Sequence, residues 1–193
     1  MDEGRFEDKG NGLVPVSGGW SILNLRDARW FDGPGRHSVP LTGCDEYEAE
    51  NFYPMLGFAL RVLEPGAPMS VYHWETEAED FLVLAGTPLV VIDGEEHQLK
   101  PWDFVHCPPE ATHVFVGAGD APSVIIATSS RQFQKDGPWG FYVKDETAAI
   151  YGASPPETTQ ENSVADQDWV PSVESRYQEG WLPEVGWNVR SDP

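Results

Sequence analysis

The chain has 193 residues, 40% of them hydrophobic and 12% aromatic, which suffices for one domain with a substantial core and is too apolar for a wholly disordered chain. Its 32 acidic residues against 12 basic ones give a formal net charge of −20. That charge repels nucleic-acid backbones and anionic membrane surfaces, so neither is expected as a partner, and it serves either solubility or adaptation to high salt.

In chain order, the polar and acidic opening, Met1 to Gly10, lacks the basic-then-apolar pattern of a secretory leader. No apolar run approaches the length of a membrane span, and two cysteines, Cys44 and Cys107, make no disulfide framework. A cytoplasmic protein with free thiols is therefore expected. Residues 1–12 read as frayed, Trp20 to Leu25 as an imperfect strand, and Asp32-Gly-Pro-Gly35 as a turn.

From residue 56 the rhythm becomes regular. Strands are predicted over 57–63, 70–75, 80–85, 88–92, 96–99, 104–107, 113–116 and 123–128, with Asp93-Gly94 as a hairpin turn and Pro108-Pro109 as a stop. Short strands at this spacing, with no amphipathic helix between them, indicate an all-β antiparallel barrel or jelly roll. Beyond 130 the rhythm is lost, and 153–180 is rich in Ser, Thr, Pro, Glu and Gln. Yet Trp169, Tyr177, Trp181 and Trp187 punctuate the stretch. It reads as an extended arm pinned by aromatic anchors to the barrel or to a neighbouring subunit. The chain thus divides into an N-terminal segment with the first strands (1–55), a barrel core (56–130) and a C-terminal extension (131–193).

The window Tyr72-His-Trp-Glu-Thr-Glu-Ala-Glu-Asp-Phe-Leu82 carries the chemistry. His73 and Glu75, two apart on a strand, share one face with Val71, while Tyr72 and Trp74 point the other way. Glu79 opens the next strand across a tight connection and can return beside them. His113 begins the strand after Pro108-Pro109, which a barrel brings next to the first pair. Two imidazoles and two carboxylates in an apolar mouth suit a divalent metal, with Zn, Mn, Fe and Ni as candidates. Without a metal, two buried carboxylates close together are costly unless one takes up a proton.

These residues resemble the two motifs of the cupin family. The first, a glycine, His-x-His, a glutamate and a further glycine, is matched by Gly66, His73-x-Glu75, Glu79 and Gly86. The second, Gly, five residues, Pro-x-Gly, two residues, His, three residues, Asn, falls on Trp102, Pro108, Glu110, His113 and Gly117. The resemblance covers roughly 56–130 and is similar to single-domain bacterial cupins with no settled reaction. It implies a cupin-type barrel with one metal on His73, Glu79 and His113, and commonly a homodimer. The departures are Glu75 in place of the second histidine and the replacement of both motif-two glycines and the asparagine. Glu75 is either a fourth ligand, favouring harder ions, or a general base beside a three-ligand metal.

His106 shares the face parity of Phe104 and is a candidate for pointing into the barrel as a proton or substrate contact, against an outward position. Cys107, opposite in direction, reads as a small core residue. His37 and His97 read as surface residues, Glu77 as a solvated turn residue and Trp102 as packing. Phe58, Tyr72, Trp74, Phe81, Phe104 and Phe115 read as core or interface. The expected function is a small-molecule metalloenzyme of isomerase, lyase or dioxygenase type acting on an oxygen-rich substrate. The alternative is a non-catalytic binding or sensing barrel with a structural metal or none.

Overall fold

Apolar residues at alternate positions, interrupted by Gly and Pro every few residues, dictate short strands with two distinct faces. The computed structural model describes residues 3–17, 19–42, 56–130 and 139–184. Among them, the first four strands are β1 (Phe6–Asp8), β2 (Leu13–Pro15), β3 (Arg29–Gly33) and β4 (Arg36–Thr42). The central strands are β5 (Leu56–Leu63), β6 (His73–Glu75), β7 (Glu79–Ala85), β8 (Leu89–Ile92), β9 (Glu95–Gln98), β10 (Phe104–Cys107), β11 (His113–Val116) and β12 (Ser123–Ser130). Then come β13 (Gly140–Tyr142), the short helices α1 (Glu146–Ile150) and α2 (Asn162–Ala165), and β14 (Val173–Arg176).

All the paired strands run antiparallel. A seven-stranded sheet has the order β10-β7-β12-β5-β4-β3-β14, a five-stranded sheet the order β13-β6-β11-β8-β9, and β1-β2 form a separate ribbon. This is the expected nearly all-β jelly roll. The β8-β9 hairpin turns at Asp93-Gly94, where both φ angles are positive (48° and 81°), as a tight hairpin with the right-handed strand twist requires.

The two large sheets close on a shared interior. Leu63 of β5, Phe81 and Val83 of β7, and Ile125 of β12 meet Val90 of β8 and Phe115 of β11 there. Each fully buried side chain of this size contributes about 1.5–3 kcal/mol of transfer free energy. The outer faces are covered too. Leu60 and Val62, the opposite face of β5, pack under Trp30, Val39 and Trp181, while Val91, Val114 and Val116 pack under Ala148 and Ala153. Two-sided burial explains why β8 and β11 read as unbroken apolar runs rather than as alternations.

The segment after β12 supplies much of that cover. Asp145 caps α1 by accepting from the Ala148 N–H at 2.8 Å. β14 pairs with β3, and Tyr177 and Trp181 stand 5.8 and 5.1 Å, ring centre to ring centre, from Trp30. Among the described residues no helix is long and apolar enough to cross a membrane.

Several expectations are corrected. Trp20 to Leu25 is not a strand: Trp20 makes a single bridge to Glu3, and residues 25–27 turn. Residues 6–8 are not frayed, since they pair with 13–15. His37 is not on a surface loop. The Asp32–Gly35 turn sends the chain back as β4, which buries His37 against Trp181 at 4.1 Å between ring centres and bonds it to Asp32 at 2.8 Å. Glu77 is buried and accepts a hydrogen bond from the Ser130 hydroxyl. Trp102, 76% exposed, and Phe104, 63% exposed, face outward rather than packing within the chain. Cys44 and Trp187 lie outside the described residues.

Candidate metal centre

Strand register brings the two histidines together. β6 and β11 are neighbours in the five-stranded sheet, and His73 and His113 are direct cross-strand partners, with ring centres 5.3 Å apart. The turn before β11 is tied to the end of β6 by the Glu110 N–H, which donates to the Glu75 carbonyl at 2.9 Å. From the facing sheet, β7 presents Glu79 on the same inward parity as Phe81 and Val83. One ligand atom from each of His73, Glu79 and His113 then lies within 4.8 Å of the others.

Both rings are oriented from behind. The His73 Nδ1–H donates to the Val71 carbonyl at 2.7 Å, and the His113 Nδ1–H donates to the Ala111 carbonyl at 3.0 Å. This fixes the tautomer that turns each Nε2 lone pair toward the cavity. The His113 Nε2 stands 3.2 Å from Glu79 Oε2. That oxygen is buried and has no hydrogen-bond partner among the described residues.

A lone pair facing a buried carboxylate oxygen needs a positive charge between them, either a proton or a cation. Without a cation the proton takes that place. Burial depresses His113, but Cys107 and Glu79 together outweigh it and push its pKa up to about 10. Burial likewise raises Glu79, and His113, His73 and Arg61 reverse this to hold it below the usual carboxylate range. With a cation, two nitrogens and one oxygen form a donor set suited to a first-row divalent ion, so the residues present fit a metal.

The other sequence candidates divide. Glu75 shares the inward face of β6, its Oε1 3.6 Å from His73 Nε2, but it stands outside the group of three. His106 does not point into the barrel. Val105 and Cys107 take the inward positions of β10, leaving His106 56% exposed and bonded to Asp80 at 2.6 Å. His106 does share the face of Phe104, but Phe104 itself faces solvent.

The triad opens into a cavity of about 540 Å³. Besides the triad it is lined by Phe81 and Phe115 on the barrel walls and by Trp139 and Tyr142 around β13. Asp166 and Trp169 approach from the C-terminal segment. Burial pushes the Tyr142 phenol up to about 12, reinforced by Asp166 and Glu75. Burial also raises Asp166, against the pull of His73.

Two further lining residues, Arg36 and Arg61, were missed from the sequence. Arg61 carries a legible signal, a lone charge inside the apolar run Gly57-Phe-Ala-Leu-Arg-Val-Leu63 at the parity of inward Leu63. Asp166 carries none, because it reaches the cavity only through the path of the arm.

Residues 59–129 match the family model described as a cupin domain. No curated protein matches the chain. Among solved structures, a cupin 2 domain-containing protein from Halorhodospira halophila is 23% identical, with 50% of this chain and 64% of that one covered and a TM-score of 0.43. KdgF from Halomonas sp. is 22% identical over 55% of this chain and 91% of that one, at the same TM-score of 0.43. Salicylate 1,2-dioxygenase from Pseudoaminobacter salicylatoxidans, solved with gentisate, is 18% identical over 51% of this chain and 25% of that one, with a TM-score of 0.43. The shared part is less than two thirds of the Halorhodospira protein.

Proposed function

Residues 59–129 are a cupin domain, and from that premise we propose that His73, Glu79 and His113 hold one divalent metal ion. The protein is then a small-molecule metalloenzyme, of isomerase, lyase or dioxygenase type, acting on an oxygen-rich substrate. One observation carries this reading: a buried carboxylate oxygen of Glu79, without a hydrogen-bond partner among the described residues, faces imidazole nitrogens whose other edges are already tied to the backbone.

A metal bound there would supply Lewis acidity toward a substrate oxygen. The remaining roles belong to the chain's own side chains. Glu75 stands beside His73 with a free choice between ligation and carrying a proton to or from the substrate. Phe81, Phe115 and Trp139 present apolar surface to the cavity against which a substrate's carbon skeleton would pack.

Elemental analysis of protein purified without chelator tests the metal. We expect a stoichiometric first-row ion, with affinity lowered at least about 100-fold in Glu79→Ala and His113→Ala, since even the partners behind metal ligands typically govern 10–100-fold. Wild-type protein devoid of metal overturns the reading. Loss of metal with small-molecule binding intact favours the alternative, a sensing or binding barrel. We further propose that the chain forms a homodimer, with the exposed Phe104 on edge strand β10 available for such pairing.

A further inference from the structure

Only 12 of the 193 residues are basic, yet two arginines line the cavity, and they are not equivalent. Arg36 is committed to the arm. Its guanidinium carbon lies 3.9 Å above the Trp169 ring, and it donates to the Val170 and Pro34 carbonyls. Arg61 has no such commitment. Its strand position, opposite Ser38 of β4 and Ile125 of β12, turns it inward. Its Nε is buried, and that N–H has no hydrogen-bond partner among the described residues. A buried guanidinium donor left unmade costs free energy unless a ligand completes it.

The charges around the cavity say which ligand. Glu75, Glu79 and Asp166 are formally negative, and Arg36 and Arg61 are positive. A divalent ion on the triad leaves one positive charge in excess. A single carboxylate cancels it, a phosphate dianion overshoots, and a neutral polyol leaves it standing. Guanidinium also matches the carboxylate fork in geometry. We propose that Arg61 binds the carboxylate of a small monocarboxylate substrate whose second oxygen, a hydroxyl or carbonyl, reaches the metal triad. Both the second contact and the charge count that selects a single carboxylate rest on the metal reading; only the unpaired Nε–H of Arg61 is independent of it.

Calorimetric titration with lactate and 3-hydroxybutyrate, each against its own neutral amide, tests the assignment. Metal-loaded and chelator-treated protein are both used, with metal content measured in parallel. At least one acid should bind at least about tenfold more tightly than its amide. Arg61→Gln should lose that preference while keeping its metal and its melting temperature, and Arg61→Lys should restore part of it. An acid preference unchanged in Arg61→Gln means that the metal alone recognises the carboxylate, and overturns the proposal. Equal binding of both acids and their amides to wild type overturns it without recourse to a variant. Absence of metal from the wild type sinks the metal centre, whereas metal-loaded wild type that binds acid and amide alike sinks this inference alone.

Discussion

At the scale of single residues, His113 and Glu79 compete for one place between them. In metal-free protein the proton occupies it, because the His113 pKa is raised to about 10 from an ordinary 6.5. Stability contributed by this raised histidine is fully present below pH 6.5 and is lost as pH climbs through about 10. The lowered Glu79 contributes above its ordinary 4.5 and loses that contribution as pH falls through its folded value. Relative to a His113→Gln variant, chelated wild type should therefore be most favoured between pH 4.5 and 6.5 and decline toward pH 10. Metal uptake at pH 7 should release about one proton, measured by calorimetry in two buffers of different ionisation enthalpy. No proton release would show that His113 is already neutral before the ion arrives.

Two other residues carry backbone strain at the positions where the cupin motif has glycine. Trp102 and Glu110 adopt φ of 77° and 70°, so the turns keep the left-handed conformation that glycine favours although the glycines are gone. Glu110→Gly removes that strain from an exposed site at some cost in unfolded-state entropy. The expected net gain is about 0.5–1 kcal/mol, read as a higher urea midpoint at unchanged slope.

Among the elements, legibility followed periodicity. The eight strands predicted between 57 and 128 all exist, most of them as apolar runs bounded by Gly, Pro or Asp-Gly; polar β9 exists as the return arm of the Asp93-Gly94 hairpin, and β6 is only the His73–Glu75 end of the predicted 70–75. β3, β4, β13 and β14 were not legible. β4 contains Arg36, His37, Ser38 and Pro40, and its pairing comes from β5 and β3 rather than from its own composition. His73, Glu79 and His113 were readable from spacing, since each opens a strand at a known parity. The arm's contribution was not, because no period links Asp166 to a barrel position. Gly86, which ends β7, shows how tightly these elements meet. At φ 76° an added Cβ would lie 2.6 Å from the Ser123 Cα. Gly86→Ala should cost about 2–4 kcal/mol in chemical denaturation and misplace β7, with Glu79 at its other end. A loss below about 1 kcal/mol would mean that β12 can yield there.

For the molecule as a whole, the first question is how many copies associate. β10 and β14 end the seven-stranded sheet, and β10 carries Phe104, 63% exposed. Light scattering at physiological salt should give twice the 21.4 kDa chain mass, and Phe104→Glu should shift that mass toward one chain. A wild-type monomer would remove the dimer proposal.

The arm has a consequence of another kind. The strands that gather His73, Glu79 and His113 are fastened to one another by register, so little can change there without dispersing all three. Asp166 and Trp169 touch the same chamber from a stretch held by a short β14 pairing and a few side-chain clasps. Natural variation in this tail therefore reshapes the chamber's lining while the triad stays fixed, as a lock is rekeyed without rebuilding the door.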